Sequence, residues 1–167
     1  CVGYPSKDDK ALQIDHPSCT HGLVVSLTEF KEMMWQENFR SISEWLANQT
    51  ELSNKYVSLI VEQDGTNLNK ILGYNHTCVL DKFNDDEENS NYLANSAAKI
   101  KEFRDSEKGV TPSNTSNWYF PSVKELSLLC SGEVIITWKG SCTTEIYNFM
   151  TLSKILCKWK QDSVISF

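Results

Sequence analysis

The segment Asn117–Cys130 (NWYFPSVKELSLLC) constrains the fold more than any other stretch, because it marks the start of a helix. Ser122 and Glu125 have the spacing of a capping box, in which each side chain can bond a backbone N–H at the helix N-terminus. Pro121 lies just outside the cap, where its fixed φ holds the entering chain extended. Apolar residues then recur at helical spacing, namely Val123, Leu126, Leu129 and Cys130. The pattern predicts a short amphipathic helix from Ser122 to Ser131, entered from an extended aromatic stretch.

Length and charge restrict the class of protein. A chain of 167 residues is most simply one domain, long enough to bury a core. Its 40% hydrophobic and 23% charged residues are ordinary globular values. The net charge of -6 and the lack of a basic stripe argue against nucleic-acid binding, which needs a positive surface. No apolar run approaches the length that spans a bilayer, so no transmembrane segment is predicted.

Six cysteines are many for this length, and they form no CxxC pair. They are Cys1, Cys19, Cys78, Cys130, Cys142 and Cys157. This usage suits either an exported protein with disulfides or a set of buried thiols, and the sequence does not give the connectivity.

Two short apolar runs predict strands. Residues 22–27 (GLVVSL) are rich in β-branched side chains and brief, as in a buried strand. Residues 133–138 (EVIITW) have the same character. Residues 55–65 (KYVSLIVEQDG) fit either a strand or a helix, so they stay ambiguous.

Three apolar stripes predict helices, because their members recur at three- and four-residue intervals and fall on one face. The stripes are Ile42, Trp45 and Leu46, capped by Ser41 or Ser43; Leu93, Ala97, Ile100 and Phe103; and Ile146, Phe149, Leu152, Leu156 and Trp159. A further helix is expected where Gly73 breaks the chain and Asn75 or Thr77 acts as the cap. The predicted fold is α+β, with helices outnumbering strands.

The order of three segments resembles one known family. HGLVVS (21–26), GYNHT (73–77) and WYFPSVKEL (118–126) are similar to the C-type-lectin-like domain of unknown function in Bacteroidetes surface lipoproteins and fimbria-associated proteins. The most specific element is the tryptophan-tyrosine-aromatic-proline-serine run with its following glutamate and leucine. The resemblance implies a small twisted antiparallel sheet with several short helices. It also implies that Trp118 and Phe120 are core, with Tyr119 pointing the other way.

The sequence departs from that family at both ends. The family closes with a YWSS(S/T)E segment and a VRPVLxF strand, which this sequence lacks, and Cys1 stands where the first strand is half finished. The resemblance therefore predicts one C-type-lectin-like domain over 1–167 that is incomplete at both ends. The alternative takes Cys1 as the lipid-bearing first residue of a mature lipoprotein.

Residues with metal-binding or catalytic potential do not form a recognisable site. His16, Cys19 and His21 are zinc ligand types, but His76 is the only other histidine, and a loop before a strand explains the cluster equally well. The stretches 64–69 (DGTNLN) and 85–88 (DDEE) offer oxygen ligands but lack calcium-loop spacing, and the sugar-binding motifs of calcium-dependent lectins are absent. No catalytic, cofactor-binding or metal-binding residue is predicted, and no cofactor is expected.

Four aromatic residues outside the best core stripes could stack on a sugar or anchor a partner. They are Trp35, Trp45, Tyr74 and Tyr92. A half-buried core position is the favoured interpretation for each, so the ligand-binding residues stay unknown.

The resemblance implies an exported binding or adhesion module on the bacterial cell surface or outer membrane, with a carbohydrate or a host protein as ligand, and the residues themselves indicate no catalytic site. One alternative is a structural assembly domain whose partners are components of a fimbrial or outer-membrane complex. The other is an enzyme on the fold of the formylglycine-generating enzymes, which the resemblance allows but no cysteine context supports.

Overall fold

A thirteen-residue helix, Gly73–Asp85 (α4), is the element against which most others pack. The computed structural model describes residues 8–19, 23–28, 30–31, 33–59, 70–113 and 115–126. Within these ranges the other α-helices are Lys10–Asp15 (α1), Ile42–Ala47 (α2), Thr50–Lys55 (α3) and Asn95–Arg104 (α5). Short 3₁₀ turns occupy Glu87–Asn89 and Glu107–Gly109, and residues 123–126 are helical.

One face of α4 forms the centre of the core. Val79, Leu80 and Phe83 are almost fully buried, and their three- and four-residue spacing places them on one side of the helix. The ring of Trp45 in α2 packs edge-on against Phe83, with the centroids 5.3 Å apart. Burial of these large apolar side chains supplies most of the stabilisation in this part of the fold.

The helix α2 confirms its sequence prediction. It begins after Ser41, whose Oγ accepts a hydrogen bond from the N–H of Glu44 at 3.3 Å. Its stripe of Ile42, Trp45 and Leu46 is buried.

The helix α5 also follows its apolar stripe, with one exception. Ala97 and Phe103 are buried and Ile100 is half-buried, but Leu93 precedes the helix and is exposed. The start of α5 is fixed to α4 because the Asn84 side chain bonds both backbone groups of Ala94, at 2.8 and 3.0 Å.

The predicted α+β fold is wrong. The described residues contain helices and no strand or sheet, and their only β-type pairing is an isolated bridge between Gln36 and Ala94. In the run predicted as a buried strand, Val24 is 66% exposed and Leu27 is 81% exposed. β-Branched content favours a strand only where another strand pairs with it and a core covers one face, and the described structure supplies neither here.

The predicted start of α4 is also wrong. Gly73 does not break the chain but is the first helical residue, and Asn75 and Thr77 lie inside the first turns. No side chain near Gly73 caps the helix, because side chains from distant segments take that role.

Several predictions lie outside the described residues. They are the strand at 133–138, the helix from about Thr144 to Lys158 and the second half of the helix that starts near Ser122. In the described part of the chain, no helix is both long and apolar enough to cross a membrane.

Candidate functional site

Glu125 joins two helix N-termini. Its carboxylate is buried at 1% exposure, and Oε2 accepts hydrogen bonds from the N–H of Ser122 at 2.6 Å and of Gly73 at 3.1 Å. In return, Ser122 Oγ accepts from the N–H of Glu125 at 3.4 Å, which confirms the predicted capping box. The same side chain therefore caps its own helix and α4.

Gly73 is required by this close approach. A methyl group at its Cα would lie 2.2 Å from Glu125 Oε2 and 2.9 Å from the carbonyl oxygen of Phe120. Any larger residue would displace the carboxylate or the backbone beside it.

Asp9 is the second buried carboxylate at the first turn of α4. Its Oδ1 accepts from the N–H of Leu12 at 2.9 Å and caps α1, while Oδ2 accepts from the N–H of Asn75 at 2.9 Å. The Asn75 side chain in turn bonds both backbone groups of Val57, each at 2.9 Å. Residues from several separate segments therefore meet at one helix end, where the helix dipole favours negative charge.

Burial dominates the electrostatics of both carboxylates. Desolvation raises the pKa of Glu125 above its ordinary value, against hydrogen bonds that lower it. Desolvation likewise raises the pKa of Asp9. Tyr119 donates its hydroxyl to Glu125 Oε1 at 2.9 Å, and burial with the neighbouring negative charge raises the pKa of that phenol.

The residues Trp118–Pro121, here called the aromatic segment, are held through their backbone. Thr77 Oγ1 accepts from the N–H of Phe120 at 2.9 Å and donates to the carbonyl of Gly73 at 2.8 Å. Arg104 Nε donates to the carbonyl of Trp118 at 2.6 Å, and its guanidinium pairs with Asp81 at 2.6 Å. Because the backbone is hydrogen-bonded at Trp118, at Phe120 and at the adjoining Ser122, the aromatic segment is held in place as a rigid wall.

Side chains of the aromatic segment alternate, but their burial differs from the expectation. Tyr119 packs against the main core, with its ring 6.0 Å from that of Tyr74. Trp118 and Phe120 are half-buried on another side, where they contact Phe103 at 5.7 Å and Trp35 at 6.0 Å. Tyr119 rather than its neighbours is thus the member that joins the main core.

Trp118 and Phe120 form one side of a cavity of about 490 Å³, here called the apolar groove. Helix α5 contributes Ile100 and Phe103, and residues 23–26 with Phe30 also line the groove. No described side chain that lines the groove is charged, and most of the lining is apolar. A concave apolar surface backed by a fixed wall is the usual form of a binding site.

The residues singled out as metal ligands do not come together. His16 packs its ring edge-on against Tyr74 at 5.3 Å, Cys19 borders the groove, and His21 lies outside the described residues. The described residues contain no group of three or more metal-ligating side chains. Burial raises the pKa of the Cys78 thiol to about 11, so this cysteine stays protonated at neutral pH.

The four aromatic candidates divide between the core and the surface. Trp45 and Tyr74 are buried, as favoured from the sequence, and Tyr92 is half-buried beneath the guanidinium of Arg40. Trp35 is exposed and contacts the aromatic segment.

Sequence reasoning missed Asp9 and the roles of Gly73 and Thr77. Asp9 stands three residues before Leu12, which is a helix-cap spacing, so its bond to α1 was open to prediction. Its bond to Asn75 has no local signal, because the two residues are 66 positions apart.

Comparison with known proteins gives one similarity. No family model matches the chain, and no solved structure gives a significant match. The chain is 32% identical over 135 residues to a Bacteroides ovatus protein named "Putative fimbrium tip subunit Fim1C". The alignment covers 75% of this chain but 23% of that protein, so the chain spans about a quarter of the relative's length. The similarity supports the fimbria-associated part of the resemblance to Bacteroidetes proteins, whereas no comparison shows a C-type-lectin-like domain.

Proposed function

We propose that this chain is a non-catalytic part of an exported fimbrial protein on a bacterial cell surface. The proposal is supported by the similarity to a protein named as a fimbrium tip subunit, which extends over three quarters of the chain. Assembly with other fimbrial components follows as the expected partnership.

The apolar groove is the proposed binding surface, and its occupant is an apolar segment of a protein partner. The observation that carries this proposal is that the described side chains lining the groove are uncharged and mostly apolar, and that they lie beside the fixed aromatic segment. Burying apolar side chains there gains free energy in proportion to the area removed from water. A wall already held by Thr77, Arg104 and Glu125 loses little freedom on binding, which favours affinity.

A carbohydrate suits this groove less well than a protein segment. Sugars carry many hydroxyl groups, and each one that is desolvated without a hydrogen-bond partner costs free energy. Among the described residues, the groove is lined by a few serine, threonine and asparagine side chains but by no carboxylate. Glycan binding remains an outcome that the experiment below detects.

The fimbrial location can be tested in the bacterium that encodes the chain. Immunogold electron microscopy with antibodies against the chain should label surface fibres, and a deletion strain should lose the label. Labelling confined to the cell interior would overturn the proposal.

The binding surface can be tested on peptide and glycan arrays, each run with and without a chelator. We expect the chain to select apolar peptides irrespective of chelator, and Val24→Asp to weaken binding by about tenfold or more, because a charge is placed in an apolar lining. Ile14→Asp is the matched control, since Ile14 in α1 is 68% exposed, Val24 is 66% exposed, and only Val24 lines the groove. Equal effects of the two variants, or selective glycan binding, would refute a protein-binding groove.

A further inference from the structure

Glu125 makes an unusual set of contacts for a buried carboxylate. Within the described structure its hydrogen bonds come from neutral donors, which are the N–H groups of Gly73 and Ser122 and the hydroxyl of Tyr119. A buried charge without a cationic partner is costly, and the cost is relieved when the group takes up a proton.

Of the titratable groups around Glu125, the nearby carboxylate of Asp9 increases this tendency, whereas the hydrogen bond from Tyr119 opposes it. Asp9 approaches the same first turn of α4 from the residues before α1, and Tyr119 faces Glu125 from the aromatic segment. Beyond Tyr119 lie Tyr74 of α4 and Cys19, both uncharged when protonated.

The hydrogen bonds of Glu125 leave Oε1 as the oxygen that can carry a proton. Oε2 accepts from both N–H groups, whereas Oε1 has Tyr119 as its partner. A proton on Oε1 can be donated to the Tyr119 oxygen once the phenolic hydrogen rotates away, because a hydroxyl both donates and accepts. The two backbone contacts at Oε2 are retained in either state.

We propose that Glu125 is a proton-linked latch on the wall of the apolar groove, which holds the aromatic segment to α4 more firmly in mildly acidic than in neutral solution. This inference depends on the proposed function only for the statement that the aromatic segment takes part in binding. Tyr119 and Pro121 line the groove, so a change at Glu125 reaches its surface directly.

The pH dependence has a definite sign. Because burial raises the pKa of Glu125 in the folded chain, its contribution to stability is fully present below the ordinary value of 4.5. That contribution is lost as the pH rises through the higher pKa of the folded state.

The test is an NMR titration of the chain from pH 7.5 to pH 4, which needs no ligand. We expect the Glu125 side-chain carboxyl resonance and the amide resonances of Gly73 and Ser122 to titrate together, with a midpoint above 4.5. Protection of those two amides from hydrogen exchange, corrected for the intrinsic rate, should rise as the pH is lowered from 7.5 to 4. A midpoint at or below 4.5, or unchanged protection, would overturn the latch.

Glu125→Gln is the informative variant. Its carbonyl can accept from Gly73 and Ser122 while its amide donates to the Tyr119 oxygen, so it reproduces the protonated state. We expect the variant to fold and to lose the pH dependence of protection, while Glu51→Gln, at an exposed site in α3, retains it. Retention of the dependence in Glu125→Gln would refute the assignment. A blank peptide array leaves these results unaffected, so the two proposals fail separately.

Discussion

Replacing Gly73 with alanine tests whether the close approach of Glu125 to α4 stabilises the fold. The added methyl would lie 2.2 Å from Glu125 Oε2, far inside van der Waals contact. The carboxylate must therefore move, and the 3.1 Å hydrogen bond from the N–H of Gly73 is lost with it.

The expected cost follows from three contributions. Losing a hydrogen bond to a charged group costs about 1.5–3 kcal/mol. Forcing an extra methyl into a packed site costs about 1–3 kcal/mol. Alanine has a better helix propensity than glycine, which returns up to about 1 kcal/mol. The free energy of unfolding should thus fall by about 1.5–6 kcal/mol, a large fraction of the stability of an ordinary domain.

Urea unfolding at pH 7, followed by tryptophan fluorescence, measures this change. The midpoint should decrease in Gly73→Ala while the slope with denaturant stays constant. Thr50→Ala is the matched control, since Thr50 is the exposed first residue of α3, and its loss should cost no more than about 0.5 kcal/mol.

A double mutant tests whether the cost of Gly73→Ala depends on the Glu125 carboxylate. In a Glu125→Ala background the carboxylate is absent, so Gly73→Ala should cost less than in the original chain by about 1 kcal/mol or more. A loss below about 1 kcal/mol for Gly73→Ala alone, or equal losses in both backgrounds, would refute the reasoning.

Three further changes test neighbouring contacts. Burial lowers the pKa of His76 from 6.5 to about 4, so its contribution to stability is lost as the pH falls through that range. In urea unfolding, the free energy of unfolding of the original chain relative to that of His76→Asn should therefore fall by about 2–3 kcal/mol from pH 7 to pH 4.5. A difference that stays constant with pH would contradict this. Thr77→Val should cost about 1–3 kcal/mol, because the N–H of Phe120 loses its partner, while Thr77→Ser should retain most of the stability in the same assay. Arg104→Met should cost about 2–4 kcal/mol by thermal unfolding, since it leaves the half-buried Asp81 without its ion pair; Lys99→Met on the same helix is the control, and equal losses would argue against a specific pair.

Local patterns in the sequence predicted local structure well. The Ser122–Glu125 capping box and the Ser41 cap both form the expected hydrogen bonds. The apolar stripe that ends at Phe103 lies largely on one helix, α5. In each case the residues that interact are three or four positions apart, so their spacing carries the information.

Features built from distant residues were not predictable in this way. The cap of α4 comes from Asp9 and Glu125, and nothing near Gly73 in the sequence indicates either partner. The run at 22–27 has strand-like composition, but composition does not reveal whether a pairing strand is present. The groove combines three separate segments, so its position became clear only from the structure.

The way α4 is capped bears on the order in which the chain folds. Glu125 follows Gly73 by 52 residues, and Asp9 precedes Asn75 by 66. A thirteen-residue helix is marginal in water by itself, and closing loops of this length costs entropy before the contacts form. A ribosome that has not yet released Glu125 therefore holds a chain whose central helix lacks one of its two caps. Full capping of α4 waits until the residues around Glu125 have been made and can fold back onto Gly73.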